Sequence, residues 1–188
     1  RDKVYVVATG PDGLVNTDDD LVRSFFVRSF CVDAEDLAFD NSTGALWIIG
    51  GESALAHKML PGPNGILDGT APEGDDVLTS YNLAPFGAPD SEGIAVRPSD
   101  GGIYVIGNPI TTLLHLSNTG QFVRTVNLPS TGLIKPAGIV FAPRSSGTGD
   151  SLYLVDRGID NEFFPTENDG MMFEYGVPLV GVNQAPVV

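Results

Sequence analysis

Asp33-Ala-Glu35-Asp36-Leu-Ala38-Phe-Asp40, then the turn Asn41-Ser-Thr-Gly44, then Ala45-Leu46-Trp47-Ile48-Ile49-Gly50 is the stretch that decides the fold. It returns as Asp90-Ser-Glu92-Gly93-Ile-Ala95-Val-Arg97-Pro98, followed by Gly101-Gly102 and Ile103-Tyr104-Val105-Ile106-Gly107. A third copy reads Lys135-Pro-Ala137-Gly138-Ile-Val140-Phe-Ala142-Pro143, followed by Leu152-Tyr153-Leu154-Val155-Asp156. Lys3-Val4-Tyr5-Val6-Val7 matches the second half of this unit, so Tyr5, Trp47, Tyr104 and Tyr153 read as equivalent anchors on a second strand.

The segments before each copy repeat as well. Asp20-Leu-Val22-Arg-Ser24-Phe25, Asp76-Val-Leu78-Thr-Ser80-Tyr81 and Gln121-Phe-Val123-Arg-Thr125-Val126 each alternate apolar and polar residues, the pattern of a half-buried strand. Within the second unit the strands fall at 92–98, 103–106, 112–117 and 121–128, with Ser99-Asp-Gly-Gly102 and Asn118-Thr-Gly120 as hairpin turns. Four short antiparallel strands per unit of about 40–50 residues are the signature of a β-propeller blade. The expected fold is therefore all-β, with about three and a half four-stranded blades over residues 1–176 and a linker over 177–188. Propellers close with about four to eight blades. The expectation is thus part of a larger ring, completed by further blades of the same polypeptide or by other copies of the chain.

Composition narrows the function. Twenty-four acidic against ten basic side chains give a net charge of −14, which excludes the basic stripe a nucleic-acid binder needs. No stretch approaches 18 apolar residues, so no membrane insertion is expected. Cys31 is alone, and a lone cysteine beside Val32 reads as a small buried hydrophobe. Only His57 and His115 are present, too few for a zinc cluster, and no Gly-x-Ser-x-Gly elbow or Gly-rich phosphate loop occurs. Leu114-His115-Leu116 reads as a strand with His115 pointing away from the apolar face, and His57 reads as a loop or strand-edge residue.

The Asp-x-Glu-Gly-Ile-Ala…Tyr-Val repeat resembles the NHL-like and SdiA-regulated-like propellers of large secreted bacterial multidomain proteins. The run from Leu152 to Glu174 is similar to the last blade of such domains. Asn183-Gln-Ala-Pro186 resembles the start of a cadherin- or PKD-like immunoglobulin-type module. The resemblance implies an extracellular or cell-surface location and a structural module acting in adhesion or assembly, with an extracellular protein or glycan as ligand.

Two acidic groups suit calcium, which takes about six to eight oxygen ligands. In the resemblance the Asp-x-Glu motif opens the innermost strand of each blade, which places Glu35 and Glu92 at a central channel. The alternative is that Asp33 and Asp90 cap the turn into the strand. The third copy carries Ala137 at the corresponding position, against a ring of identical ligands. The second group is Asp156, Asp160, Asn161, Glu162, Asn168 and Asp169, dense enough in oxygen for a calcium loop although not in EF-hand order. A polar network around Arg157 and plain solvation are the alternatives. Thr17-Asp-Asp-Asp20 and Glu73-Gly-Asp75-Asp76 read as solubilising loop residues, with weak cation binding as the alternative. The leading functional expectation is a non-catalytic, calcium-supported module. Its rival is a metal-dependent hydrolase of phytase-like or lactonase-like type, with Asp33, Asp36 or Asp90 as acid/base groups.

Overall fold

The structure, a computed structural model, describes residues 2–88, 90–108, 110–128, 132–159 and 170–176. Among these the fold is all-β and antiparallel, with one 3-10 turn at Ala84–Phe86. A two-stranded hairpin pairs β1 (Lys3–Ala8) with β2 (Leu21–Phe26). The first four-stranded sheet runs in chain order through β3 (Ala34–Asp40), β4 (Ala45–Gly50), β5 (Leu55–Leu60) and β6 (Val77–Asn82). The second repeats that order with β7 (Asp90–Val96), β8 (Ile103–Asn108), β9 (Ile110–Leu116) and β10 (Phe122–Asn127). The third contains β11 (Pro136–Pro143), β12 (Asp150–Asp156) and β13 (Met171–Gly176). No sheet closes on itself among the described residues, and no helix there is long and apolar enough to cross a membrane.

Turn chemistry explains the short strands. Asp40 ends β3 and accepts Ser42 N–H at 2.9 Å, while Gly44, at φ 72°, adopts the left-handed conformation that closes the turn. Strand registers make the repeat exact in space: Trp47 pairs with Ala38, Tyr104 with Ala95 and Tyr153 with Val140. The three aromatics therefore occupy one position on the second strand of successive sheets.

Period-2 alternation then distributes each strand between two interfaces. Leu46 and Ile48 face the hairpin and pack with Val4 and Phe25. Trp47 and Ile49 face the second sheet and pack with Ile103 and Val105. Tyr104 and Ile106 face the third sheet and pack with Leu152 and Leu154. The sheets are thus stacked face to face, and the middle strand β4 is buried on both faces, while Leu37 and Phe39 of β3 stay half exposed on the hairpin side. Their first strands stand side by side, β3 against β7 and β7 against β11.

Three expectations need correction. Tyr5 is not a second-strand anchor. β2 corresponds to the fourth strand β6, and β1 pairs with it as β5 pairs with β6, which makes β1 a third strand and Tyr5 the counterpart of His57. Tyr5 is accordingly 65% exposed, whereas Trp47 and Tyr104 are fully buried. His57 is not at an edge: it lies inside β5, buried, with Nδ1 2.8 Å from Ser80 Oγ. His115 does point to the face opposite Leu114 and Leu116, but that face is buried as well. The side chain is buried and stacks on Tyr104 with ring centroids 4.4 Å apart, because a sheet covered on both sides has no solvent face for alternation to reveal. The half-unit at the N-terminus is a strand pair, and the third unit shows three strands among the described residues, so the four-strand count holds for two sheets.

Candidate metal centre

The Asp-x-Glu motifs stand at the same end of adjacent first strands, Asp33 just before β3 and Asp90 opening β7. Local geometry then re-aims the glutamates. The β3–β4 register shifts between Ala34 and Asp36, and the β7–β8 register shifts between Ser91 and Gly93. Glu35 and Glu92 are therefore the extra residues of β-bulges, a device that turns a side chain out of the regular alternation. Asp33 sits at φ 56°, in the left-handed region that aspartate tolerates better than most residues, and its carbonyl accepts Gly51 N–H at 3.0 Å.

Gly51 marks the point on which the carboxylates converge. A Cβ on Gly51 would lie 3.1 Å from Asp90 Oδ1, 3.3 Å from Asp33 Oδ2 and 3.4 Å from Glu35 Oε1. Three carboxylate oxygens from two sheets thus surround a space that the missing side chain keeps open. Glu92 is drawn instead to Arg157, whose guanidinium lies 3.0 Å from Glu92 Oε1 and ties the end of the third sheet to the second. Burial raises the Glu35 carboxyl above its ordinary value, the Glu92 and Asp33 charges raise it further, Arg157 opposes them and Asp90 adds to the rise. The three oxygens are not all within 4.8 Å of one another; among the described residues that spacing is met by Asp68, Asp75 and Asp76 in the β5–β6 connection.

Asp156 is placed differently. Its side chain is fully buried, Oδ2 accepts Ile134 N–H at 2.7 Å and Oδ1 accepts Gly158 N–H at 2.7 Å, while Lys135 N–H reaches both oxygens. The register aligns Asp156 with Gly50 and Gly107, which pair with Ala34 and Ser91 at the start of the first strand of their sheets. In those sheets backbone passes directly over the glycine, Val32 and Asp33 over Gly50 and Asp90 of β7 over Gly107. In the third sheet a carboxylate fills that place and binds the loop amides. Asp160, Asn161, Glu162, Asn168 and Asp169 lie outside the described residues.

Glu35, Asp33 and Asp90 are therefore brought together, and Glu92 borders them through its ion pair. Sequence reasoning missed Gly51 and the reach of Arg157; the doubled Gly50-Gly51 after a strand was the visible signal for the first. Asp36 turns away from the cluster: Oδ2 accepts Ile94 N–H at 2.9 Å and Oδ1 accepts Leu37 N–H at 2.8 Å. Cys31 is buried, and burial, with the Asp2 and Asp33 charges, pushes its thiol up to about 11, as for an inert core residue.

No protein-family model matches the chain, and no match was found among curated proteins. Among solved structures, a luciferin-regenerating enzyme shares the fold with a TM-score of 0.56 over 86% of this chain, at 14% identity. The chain spans about half of that enzyme's length, since the match covers 50% of it.

Proposed function

We propose that this chain is part of a calcium-supported β-propeller in which β3, β7 and β11 are the axial strands and the Asp33–Glu35–Asp90 cradle holds the cation. The convergence of three carboxylate oxygens within 3.4 Å of one point above Gly51 carries this reading. Repetition of the four-stranded sheet, face-to-face stacking and adjacent first strands support the propeller itself. The role is that of a non-catalytic binding or assembly module of a secreted or cell-surface protein, where calcium is abundant enough for weak sites.

The ring is completed by further blades of the same polypeptide or by other copies. A cavity of about 550 Å³ between β1 and the β3–β4 face, lined by Val4, Val6, Leu37, Phe39 and Leu46, supports this. Leu37 and Phe39 share the face of Ile48 and Leu46, and no first or second strand of the hairpin unit covers them among the described residues.

Calorimetric titration of calcium into the chelator-stripped chain tests the reading. Bound calcium should fall by one ion per chain in Asp33→Asn/Glu35→Gln with the fold intact; a cradle variant that binds as many ions as the parent would refute it. A metal-dependent hydrolase is the second reading, favoured by the raised Glu35 carboxyl beside a small cavity lined by Glu35, Asp36 and Lys3. Metal-dependent cleavage of a phosphate ester or lactone, abolished by Glu35→Gln, would establish it.

A further inference from the structure

The connections β1–β2 and β5–β6 are two copies of one loop. Gly10-Pro-Asp12-Gly13-Leu-Val-Asn16 ends in Asp19-Asp20, and Gly62-Pro-Asn64-Gly65-Ile-Leu-Asp68 ends in Asp75-Asp76, the second loop being longer by Thr70–Glu73. The hydrogen bonds repeat as well. Asn16 and Thr17 donate their amides to Asp20 Oδ2 at 2.6 and 3.2 Å, and Asp68 and Gly69 donate theirs to Asp76 Oδ2 at 2.9 and 2.7 Å. Asp12 N–H reaches Asp19 Oδ2 at 3.4 Å, and Asn64 N–H reaches Asp75 Oδ2 at 3.2 Å. In both, the leading glycine lies so close to the penultimate aspartate that no Cβ fits.

In the second loop one carboxylate oxygen from each of Asp68, Asp75 and Asp76 lies within 4.8 Å of the others. Asp76 is only 7% exposed, and its Oδ1 is buried with no hydrogen-bond partner. A buried carboxylate oxygen without a partner is costly, and it faces two more carboxylates with no basic residue between positions 61 and 76. Burial raises the Asp76 carboxyl, the Gly69, Asp68 and Gly62 amides oppose that, and the Asp68 charge adds to it. The first loop leaves the same oxygen, Asp20 Oδ1, buried and unpartnered. Between the two loops the amide and the carboxylate trade places, Asp12 and Asn16 against Asn64 and Asp68, so at the four matched positions, with Asp19-Asp20 and Asp75-Asp76, each keeps three carboxylates and one carboxamide.

We propose that Asp68, Asp75 and Asp76 form a calcium site in the β5–β6 connection; the oxygens of Asp12, Asp19 and Asp20 in the β1–β2 hairpin do not gather as closely, so the first loop shares the fold of the second without its site. The hard, multi-oxygen donor set fits calcium, with dissociation constants of about 10⁻⁴–10⁻³ M, the range of extracellular modules. This site lies between the third and fourth strands of its unit, away from the Gly51 cradle, and does not depend on it.

Calcium titration of the stripped full chain, followed by calorimetry, tests the assignment. Asp75 is exposed, so Asp75→Asn leaves the fold intact, and circular dichroism verifies this. The substitution should lower the bound calcium by one per chain and keep what the Asp33–Glu35–Asp90 cradle binds. The assignment is overturned if Asp75→Asn binds as many ions as the parent. It is equally overturned if all binding disappears in Asp33→Asn/Glu35→Gln, which would place every ion at the cradle, or if the parent binds none.

Discussion

The Asp36 carboxylate accepts the Ile94 amide at 2.9 Å, so a side chain of β3 completes the backbone hydrogen bonding of β7 in the next sheet. Removing the acceptor leaves a part-buried N–H unpaired. Asp36→Ala should cost about 1–3 kcal/mol of stability in urea denaturation, with Asp36→Asn costing less because an acceptor oxygen remains. Hydrogen exchange of the Ile94 amide should accelerate in the alanine variant; an unchanged rate would show that the bond does not hold the two sheets together.

Gly51→Ala places a methyl group among Asp33, Glu35 and Asp90. Calcium binding at the cradle should weaken by about tenfold or more, whereas stability in chelator should move by no more than about 0.5 kcal/mol. Calorimetry and melting curves of the same sample separate the two effects. Undiminished affinity would move the cation away from this point.

His115 sets an acid limit. Burial, followed by the Arg97 and Arg124 charges, holds its imidazole down to about 4, against an ordinary value of 6.5. Between those values the unfolded chain binds the proton and the folded chain does not. The contribution is therefore complete above pH 6.5 and is lost progressively as pH falls toward 4. His57, lowered by burial, acts in the same direction, while the raised carboxyls of Glu35, Asp36 and Asp76 act in the opposite one. His115→Phe should flatten the melting temperature relative to the parent across this window, and an unaltered pH profile would contradict the stacked, neutral ring.

Equivalent aromatics should differ in energetic weight. Trp47 is fully buried, stacks on Tyr81 at 5.6 Å and fills the interface between the four-stranded sheets. Trp47→Ala should cost about 3–5 kcal/mol. Tyr153 faces away from the second sheet, with its hydroxyl donating to the Pro143 carbonyl at 2.9 Å, so Tyr153→Ala should cost less than half as much. Urea denaturation with matched m-values measures both, and equal losses would mean that Tyr153 is as enclosed as Trp47.

Much of this architecture was legible from alternation and repetition. The second-strand aromatics and the hairpin turns follow from Asp33–Gly50 and its copies, because side-chain period and turn residues act locally. Tyr5 was misplaced because Val-Tyr-Val-Val suits any strand of the unit. The rank of its strand is carried by Gly10-Pro-Asp-Gly13, which matches the loop after the third strand at Gly62-Pro-Asn-Gly65. His57 and His115 were misread because alternation marks an inside only where the other face meets water. The grouping of Glu35 with Asp33 and Asp90 was anticipated only as far as the axial end of the strands. A bulge adds a residue to one strand relative to its partner, and a single strand's sequence does not display its register.

Gly93 and Gly138 hold the same place in the repeat, yet they would tolerate mutation in opposite ways. At Gly93 the carbonyl of Ala137 on β11 occupies the space of a Cβ, so any side chain there must drive two backbones apart. At Gly138 nothing lies within 4 Å of that space among the described residues, and an alanine would only stiffen the unfolded chain, a gain of about 0.4–1 kcal/mol. A glycine shared by two repeats is thus an obligation in one and an inheritance in the other, and a substitution scan would divide them by neighbour rather than by motif.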